Sequence, residues 1–204
     1  GEGQKKPSFG KTDMVFIGNF NHTPNADAVR WFTTDILPLI LCKLPDARFH
    51  IVGANPPKDI AELSSDSVIV HGFVDDLDAL LSTMSISVVP LRFGAGMKGK
   101  IGSALRCGLP VVSTSIGCEG MSLSAGEGTI IADNSDNFSD AVIQALCSQS
   151  LWNELSERGK AACEKLWGKQ AAIDRFKQIL DDLDLPIDNI RSLNHLKLYP
   201  FDKD

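Results

Sequence analysis

The chain has 204 residues, enough for one α/β domain with a full hydrophobic core. Its formal net charge is −6, which argues against nucleic acid or an anionic membrane as a partner, because either would favour an excess of lysine and arginine. No apolar run is long enough to suggest a transmembrane segment, and the five cysteines lack the spacing of a zinc site or a disulfide framework, so we expect a cytoplasmic protein.

Short apolar strands alternate with amphipathic helices along the chain. The predicted strands are 14–18, 48–53, 67–71, 86–90, 111–113 and 128–132. The predicted helices are 25–41, 59–64, 77–84, 100–106, 136–148, 150–166 and 169–183. We expect Thr23 to be the N-cap of the first helix, with Pro24 in the first helical position. Strands that are apolar throughout and separated by helices predict an α/β fold, a Rossmann-like doubly wound parallel sheet in a single domain.

The stretch Ile86–Gly120 carries the clearest indication of chemistry. A predicted strand ends at Pro90, and the loop after it contains three glycines and two lysines before the next helix, namely Gly94, Gly96, Lys98, Gly99 and Lys100. A glycine-rich turn before a helix exposes backbone N–H groups at the positive helix end, where a phosphate can be held. Taken alone, the pattern is equally compatible with a tight connection whose lysines are merely solvated.

The rule for ligand sites in doubly wound sheets selects the same loop. Ligands collect outside the carboxyl ends of the strands, near the point where the strand order reverses. Gly18 and Gly53 end two of the predicted strands, where they allow close approach of the backbone. There Lys98, Lys100 and the amides of 94–97 would neutralise a diphosphate, and Phe73 and Val74 could flank a base.

Several motifs in this chain resemble those of one enzyme family. They are Pro90-Leu91, the loop 94–100 (GAGMKGK), the segment 107–112 (CGLPVV) and the turn 117–120 (GCEG), with further similarity at 16–20, 24–28, 49–53 and 71–76. Together they resemble the nucleotide-sugar-binding, C-terminal half of retaining glycosyltransferases with the GT-B architecture, in family 4, also called group 1. The resemblance covers roughly 14–180.

The resemblance implies a function and a set of site residues. The chain would be the donor-binding half of an enzyme that transfers a sugar from a nucleotide-diphosphate sugar, without a metal or a further cofactor. Lys98 and Lys100 would be catalytic, because they stabilise the departing diphosphate. The implied donor-binding residues are Gly18, Asn19, Phe73, Val74, Arg92, Gly94, Ala95, Gly96, Met97, Ser103 and Glu119.

The resemblance also implies a division of the protein. We expect 1–12 to be a disordered leader or a cloning remnant, 13–183 to be the donor-binding domain and 184–204 to be a C-terminal tail. A GT-B active site lies between two domains, so the acceptor pocket would belong to a missing N-terminal domain. We therefore expect this chain alone to bind a nucleotide diphosphate weakly and to transfer no sugar.

The chain departs from the family pattern at four positions. Many members carry two glutamates where this chain has Ala95 and Ser103, and basic residues where it has Asn19 and Asn25. Serine is shorter than glutamate and uncharged, so a bidentate hold on the donor ribose would be lost or replaced. Two alternatives therefore stay open: a degenerate, non-catalytic module that binds a nucleotide sugar or a partner domain, and a domain like those of sugar-nucleotide 2-epimerases. The sequence does not specify the sugar, the base or the acceptor.

Overall fold

Six parallel strands form the sheet at the centre of the computed structural model, which describes residues 6–182. The strands are β1 Asp13–Ile17, β2 Arg48–Val52, β3 Val68–Gly72, β4 Ile86–Val89, β5 Val111–Ser113 and β6 Thr129–Ile131. Their order in the sheet is β3-β2-β1-β4-β5-β6, and every neighbouring pair is parallel. This is the doubly wound fold that the alternating pattern predicts, with the order reversing between β1 and β4.

Helices connect the strands, and three more follow the last strand. They are α1 Thr23–Trp31, α2 Leu37–Leu41, α3 Lys58–Ala61, α4 Leu77–Leu81, α5 Gly99–Cys107, α6 Ser115–Cys118, α7 Ser135–Cys147, α8 Gln149–Trp167 and α9 Lys169–Asp182. The short helix α6 is absent from the sequence prediction. It forms because the Thr114 hydroxyl oxygen accepts a hydrogen bond from the Gly117 N–H at 3.0 Å, which caps a turn too short to show periodicity.

The first predicted helix differs from the observed one at its start and in its middle. The prediction of Thr23 as N-cap is wrong, since the helix begins at Thr23 and His22 holds the cap position without a side-chain hydrogen bond. A π-helical turn, Phe32–Ile36, separates α1 from α2, and in it the Leu37 N–H donates to the Phe32 carbonyl oxygen. Pro38 explains this turn, because proline has no N–H and its ring crowds the carbonyl four residues earlier.

Aromatic side chains fill the layer between the sheet and the helices on one face. Phe32 lies 4.3 Å from Phe49 of β2 and 6.1 Å from Phe138 of α7, measured between ring centroids. Phe16 of β1 is fully buried on the same sheet. Burial of an aromatic ring contributes a few kcal/mol, roughly 1.5 to 3, so these contacts fix the π-helical turn and α7 on the sheet.

The chain divides into two compact units, Gly1–Cys163 and Glu164–Asp204. The sheet lies in the first unit. In the second, α9 has no buried residue. The predicted domain range 13–183 stays a prediction, and the predicted tail 184–204 lies outside the described residues, as do residues 1–5 of the predicted leader. Within 6–182, no helix has both the length and the apolar character required to cross a membrane.

Backbone segments at the ends of β1 and β2 approach each other very closely. The Gly18 N–H donates to the Val52 carbonyl at 2.9 Å, and a methyl group on Gly53 would lie 1.7 Å from the Gly18 carbonyl oxygen. Only glycine fits at position 53, as the expectation of close approach at these strand ends requires.

We therefore expect Gly53→Ala to lower the free energy of unfolding by more than about 2 kcal/mol, because the backbone must move to admit the methyl group. Gly99→Ala is the matched control, since a methyl group there meets no atom within 4 Å. It should change stability by less than about 0.5 kcal/mol. Urea denaturation of the two variants measures the difference, and equal losses would contradict the close approach.

Candidate functional site

The candidate site lies at the carboxyl ends of β1 and β4, where the strand order reverses. The loop after β1 carries Gly18 and Asn19, and the loop after β4 carries Arg92 to Lys98. The two loops meet, because the position of a methyl group on Gly94 would be 3.1 Å from the Pro24 ring at the start of α1. The two loops that the sequence selected therefore lie together at one edge of the sheet, and the binding site itself stays a prediction.

The Lys98 side chain lies inside the glycine-rich loop and binds its carbonyl oxygens. Its side chain is 8% exposed, and its ammonium donates to the Gly96 carbonyl at 2.7 Å and to the Gly94 carbonyl at 3.2 Å. Its own backbone N–H donates to Met121 Sδ at 3.1 Å. Gly94 and Gly96 adopt the left-handed region, with φ of +116° and +85°, which closes the loop around the ammonium.

Lys100 lies beside Gly18 without a carboxylate partner. Its Nζ is 2.5 Å from Asn25 Oδ1 and 4.4 Å from the centroid of the Phe16 ring. No ion pair involves Lys100 among residues 6–182. Burial, and then the nearness of Lys98, lowers the pKa of Lys100 from 10.5 to about 7. An anion placed here would meet a charge that the protein does not neutralise.

The N-terminus of α5 adds to this positive potential. The helix has nine residues, no side chain caps its first turn, and no acidic residue lies in that turn. Its first N–H groups and its dipole therefore favour a negative charge near Gly99. The turn Gly117–Gly120 lies alongside, since a methyl group on Gly120 would be 3.9 Å from the Met97 nitrogen.

The Arg92 guanidinium, which the resemblance assigns to the donor, is paired with Asp27. It makes two hydrogen bonds to Asp27, at 2.9 and 2.5 Å, and its guanidinium lies 5.6 Å from the Trp31 ring centroid. The Asp27 hydrogen bond raises the pKa of Arg92. Its charge is thus balanced within the protein, which leaves less of it for a ligand.

The remaining predicted residues surround the two loops. Asn19, Ala95, Met97 and Glu119 are exposed, with Met97 68% accessible, and Ser103 is half-buried in α5. Phe73 is 72% exposed and Val74 half-buried just after β3, on the same sheet edge. The structure joins β3 to β2 there, because the Gly53 N–H donates to the Gly72 carbonyl at 2.7 Å. The role of Phe73 and Val74 in binding a base stays a prediction.

Asn25 and Phe16 are site residues that the sequence did not identify. The Asn25 side chain connects both loops, since its amide donates to the Asn19 carbonyl at 2.7 Å and its oxygen accepts from Lys100. Asn25 stood out only as a replacement for a basic residue of the family pattern. Phe16 resembles any buried strand residue in the sequence, so its contact with a lysine 84 positions later has no local signal.

A second group of titratable side chains lies on β1, β2 and β3. His71 Nε2 is 2.9 Å from His50 Nδ1, and His50 Nε2 is 3.1 Å from Asp13 Oδ1, so His50 links His71 to a carboxylate. Burial, and then His50, lowers the pKa of His71. Among residues 6–182, no group of three or more His, Cys, Asp or Glu side chains is arranged to hold a metal ion.

Comparison with known proteins identifies similar sequences and folds. The family model described as Glycosyl transferases group 1 matches residues 11–148. An uncharacterized 44.6 kDa protein in the cps region of Klebsiella pneumoniae is 28% identical over 141 residues, which are 64% of this chain and 36% of that protein. The chain thus spans just over a third of the length of this curated relative.

Solved structures share the fold at low sequence identity. A TarM variant from S. aureus in complex with Fondaparinux, alpha-GlcNAc-glycerol and UDP has a TM-score of 0.71 at 18% identity, over 87% of this chain and 37% of that one. The C-terminal domain of LpcC, a glycosyl transferase group 1 family protein from Francisella tularensis, has a TM-score of 0.60 at 13% identity, over 83% of this chain and 95% of that one.

The lowered pKa of Lys100 makes a prediction about stability. Unfolding returns Lys100 to its ordinary pKa, so the unfolded chain binds more protons between pH 7 and 10.5, and wild-type stability rises with pH in this window. Lys100→Met removes this dependence. From pH 6 to pH 9, we expect the free energy of unfolding of the wild type to rise by about 2 kcal/mol relative to the variant. Urea denaturation at both pH values measures it, and a pH-independent difference would contradict an ammonium withdrawn from water.

Proposed function

Because the chain belongs to the family Glycosyl transferases group 1, we propose that it is the donor-binding half of a retaining glycosyltransferase. Its donor would be a nucleotide-diphosphate sugar, held at the carboxyl ends of β1 and β4. The similarity to a TarM structure that contains UDP and to a separate C-terminal domain of a group 1 enzyme supports this proposal. The acceptor and the groups that approach the sugar from the other side would come from an N-terminal domain.

The observation that carries the proposal is the unpaired charge of Lys100. An ammonium that is withdrawn from water without a carboxylate is unfavourable unless an anion joins it. A diphosphate beside Gly18 would contact Lys100 and the free N–H groups of α5 together. Binding would raise the pKa of Lys100 toward its ordinary value, so the side chain would be fully charged in the complex.

The same charges would act on the reaction. When the bond between the sugar carbon and the phosphate oxygen breaks, the leaving diphosphate gains negative charge. Lys100 and the amides at the start of α5 are already in place to stabilise it, so no reorganisation is needed at that moment. These groups supply positive charge of the kind that metal ions provide in other phosphate sites, and we propose a mechanism without a metal.

The other donor-binding roles follow the resemblance. Phe73 and Val74 would flank the base, and the exposed Glu119 would approach the sugar or the ribose. Ser103 would give one hydrogen bond where many relatives have a carboxylate. Asn19 would contact the donor directly. The hydrogen bond from the Asn25 amide to the Asn19 carbonyl would hold the loop of Asn19 in place.

One observation favours the alternative of a degenerate, non-catalytic module that binds a nucleotide sugar or a partner domain. Arg92 is paired with Asp27 and the Lys98 ammonium is bonded to loop carbonyls, so two of the three predicted cations already have partners. Ala95 and Ser103 also replace the two family glutamates. Clear nucleotide binding that depends on Lys100 favours the donor-binding half, and no binding at millimolar nucleotide favours the alternative.

We expect UDP or GDP to bind the purified chain, and Lys100→Met to weaken the better of the two by about tenfold or more, because the variant removes the unpaired charge. Lys43→Met is the matched control, since Lys43 is exposed on the connection after α2 and should not affect binding. Isothermal titration calorimetry with each nucleotide gives the affinities. No heat with wild-type protein at millimolar nucleotide, or equal affinity in Lys100→Met, would contradict a diphosphate site at Lys100.

The need for a second domain gives a separate prediction. With UDP-sugars or GDP-sugars and simple sugar acceptors, we expect the purified 204-residue chain to form no transfer product, because the acceptor side of the proposed cleft would belong to another domain. Chromatography of the reaction mixture detects transfer. Turnover by this chain would contradict the proposed division of labour, and epimerisation of the donor without an acceptor would favour the epimerase alternative.

A further inference from the structure

We propose that Lys98 is a positioning residue that shapes the glycine-rich loop into an anion-binding surface, rather than a direct contact of the diphosphate. The proposal rests on the proposed function, since it assigns a role within the same site. It differs from the expectation that both lysines touch the leaving group. Its basis is the direction in which the loop carbonyls and the loop amides point.

The ammonium of Lys98 fixes the inward side of the loop. It donates to the carbonyl oxygens of Gly94 and Gly96, and the whole side chain is 8% exposed. If the ammonium turned outward to a ligand, both carbonyls would lose a hydrogen bond in a partly buried place. Loss of these charge-assisted hydrogen bonds from partly buried carbonyls opposes this movement.

Peptide planarity then fixes the outward side of the loop. In a trans peptide unit, the C=O and N–H bonds point in opposite directions. The carbonyl of Gly94 belongs to the same unit as the N–H of Ala95, and the carbonyl of Gly96 to that of Met97. Because both carbonyls point at Lys98 Nζ, the N–H groups of Ala95 and Met97 point away from it.

These two amides are available to a ligand. Ala95 and Met97 are exposed, and neither N–H has a hydrogen-bond partner within residues 6–182. The alternation that produces this arrangement requires the left-handed conformations of Gly94 and Gly96. Successive amides turned to one side form a concave nest for anions.

Lys98 and Lys100 therefore have different roles. Lys100 offers a charge that no carboxylate of residues 6–182 balances, at the side of the site formed by Gly18 and Asn25. Lys98 offers its charge to carbonyl oxygens and contributes to ligand binding by turning amides outward. Its positive charge behind these amides also favours an anion in front of them.

The loop itself can be observed without any nucleotide. Backbone ¹⁵N relaxation of Ala95, Gly96 and Met97 reports order on the picosecond to nanosecond timescale. In Lys98→Met, we expect the order parameters of these amides to fall from about 0.85 to below about 0.6, because the two carbonyls lose their common donor. In Lys100→Met they should stay at the wild-type value. Unchanged loop order in Lys98→Met would overturn the proposal.

Nucleotide affinity then separates positioning from direct contact. Lys98→Arg keeps donors for both carbonyls and should retain loop order, with UDP affinity within about threefold of wild type, while Lys98→Met loses about tenfold or more. Gly96→Ala strains the loop through its φ of +85° although the methyl group meets no atom within 4 Å. It should weaken UDP binding without removing any charge. Full affinity in Gly96→Ala together with loss in Lys98→Met would indicate direct contact and overturn the proposal.

Two further outcomes keep the inferences distinct. If wild-type protein binds no nucleotide, the proposed function fails, but the relaxation measurement still decides whether Lys98 orders the loop. If Lys98→Met does not fold, as loss of the wild-type amide shifts of β1 and β2 would reveal, Lys98→Gln replaces it, because glutamine is shorter and uncharged and cannot bridge both carbonyls. Wild-type loop order in that variant would overturn the proposal.

Discussion

An ammonium withdrawn from water without a carboxylate is the interaction on which the candidate site depends. Among residues 6–182, Lys100 is stabilised by the Asn25 oxygen and by the face of the Phe16 ring. A neutral oxygen and a ring quadrupole offset part of the lost hydration of a cation, but they do not cancel its charge. A carboxylate at this place would stabilise the fold more and would remove the attraction for a phosphate. The fold is thus less stable than it would be with a carboxylate here, and the site keeps a positive electrostatic potential that would attract a phosphate.

The scaffold makes this arrangement possible at one point of the sheet. Phe16 belongs to β1 and Lys100 to the helix after β4, and these two strands are neighbours because the strand order reverses between them. Gly18 leaves room for Asn25, whose side-chain carbon would be 2.7 Å from a methyl group at that position. The close approach of Gly53 to Gly18 holds the end of β1 against the end of β2. Small residues at the strand ends therefore position a long cation at the switch point.

Sequence reasoning succeeded where the signal is local and failed where it depends on distant partners. Apolar runs predicted the six strands, and the glycine spacing predicted a loop before α5. The pairing of Arg92 with Asp27, 65 positions earlier, has no periodicity that reveals it. The direction of the Lys98 ammonium depends on two left-handed glycines, and a sequence shows that glycines can adopt this conformation but not that they do. The π-helical turn before Pro38 was missed for a similar reason. A proline in a sequence predicts that a helix is interrupted, but not that the interruption is a π-helical turn.

The distribution of the three cations distinguishes a binding site from a structural loop. A loop that served only to connect β4 to α5 would be most stable with every charge paired or solvated, as Arg92 is with Asp27 and Lys98 is with the loop carbonyls. Lys100 departs from this, since burial lowers its pKa to about 7 and thus opposes its charge. An apolar side chain of similar length would avoid this cost on folding. We therefore propose that the lysine is in this place to meet a ligand, and the exposed amides of the loop beside it would favour an anion.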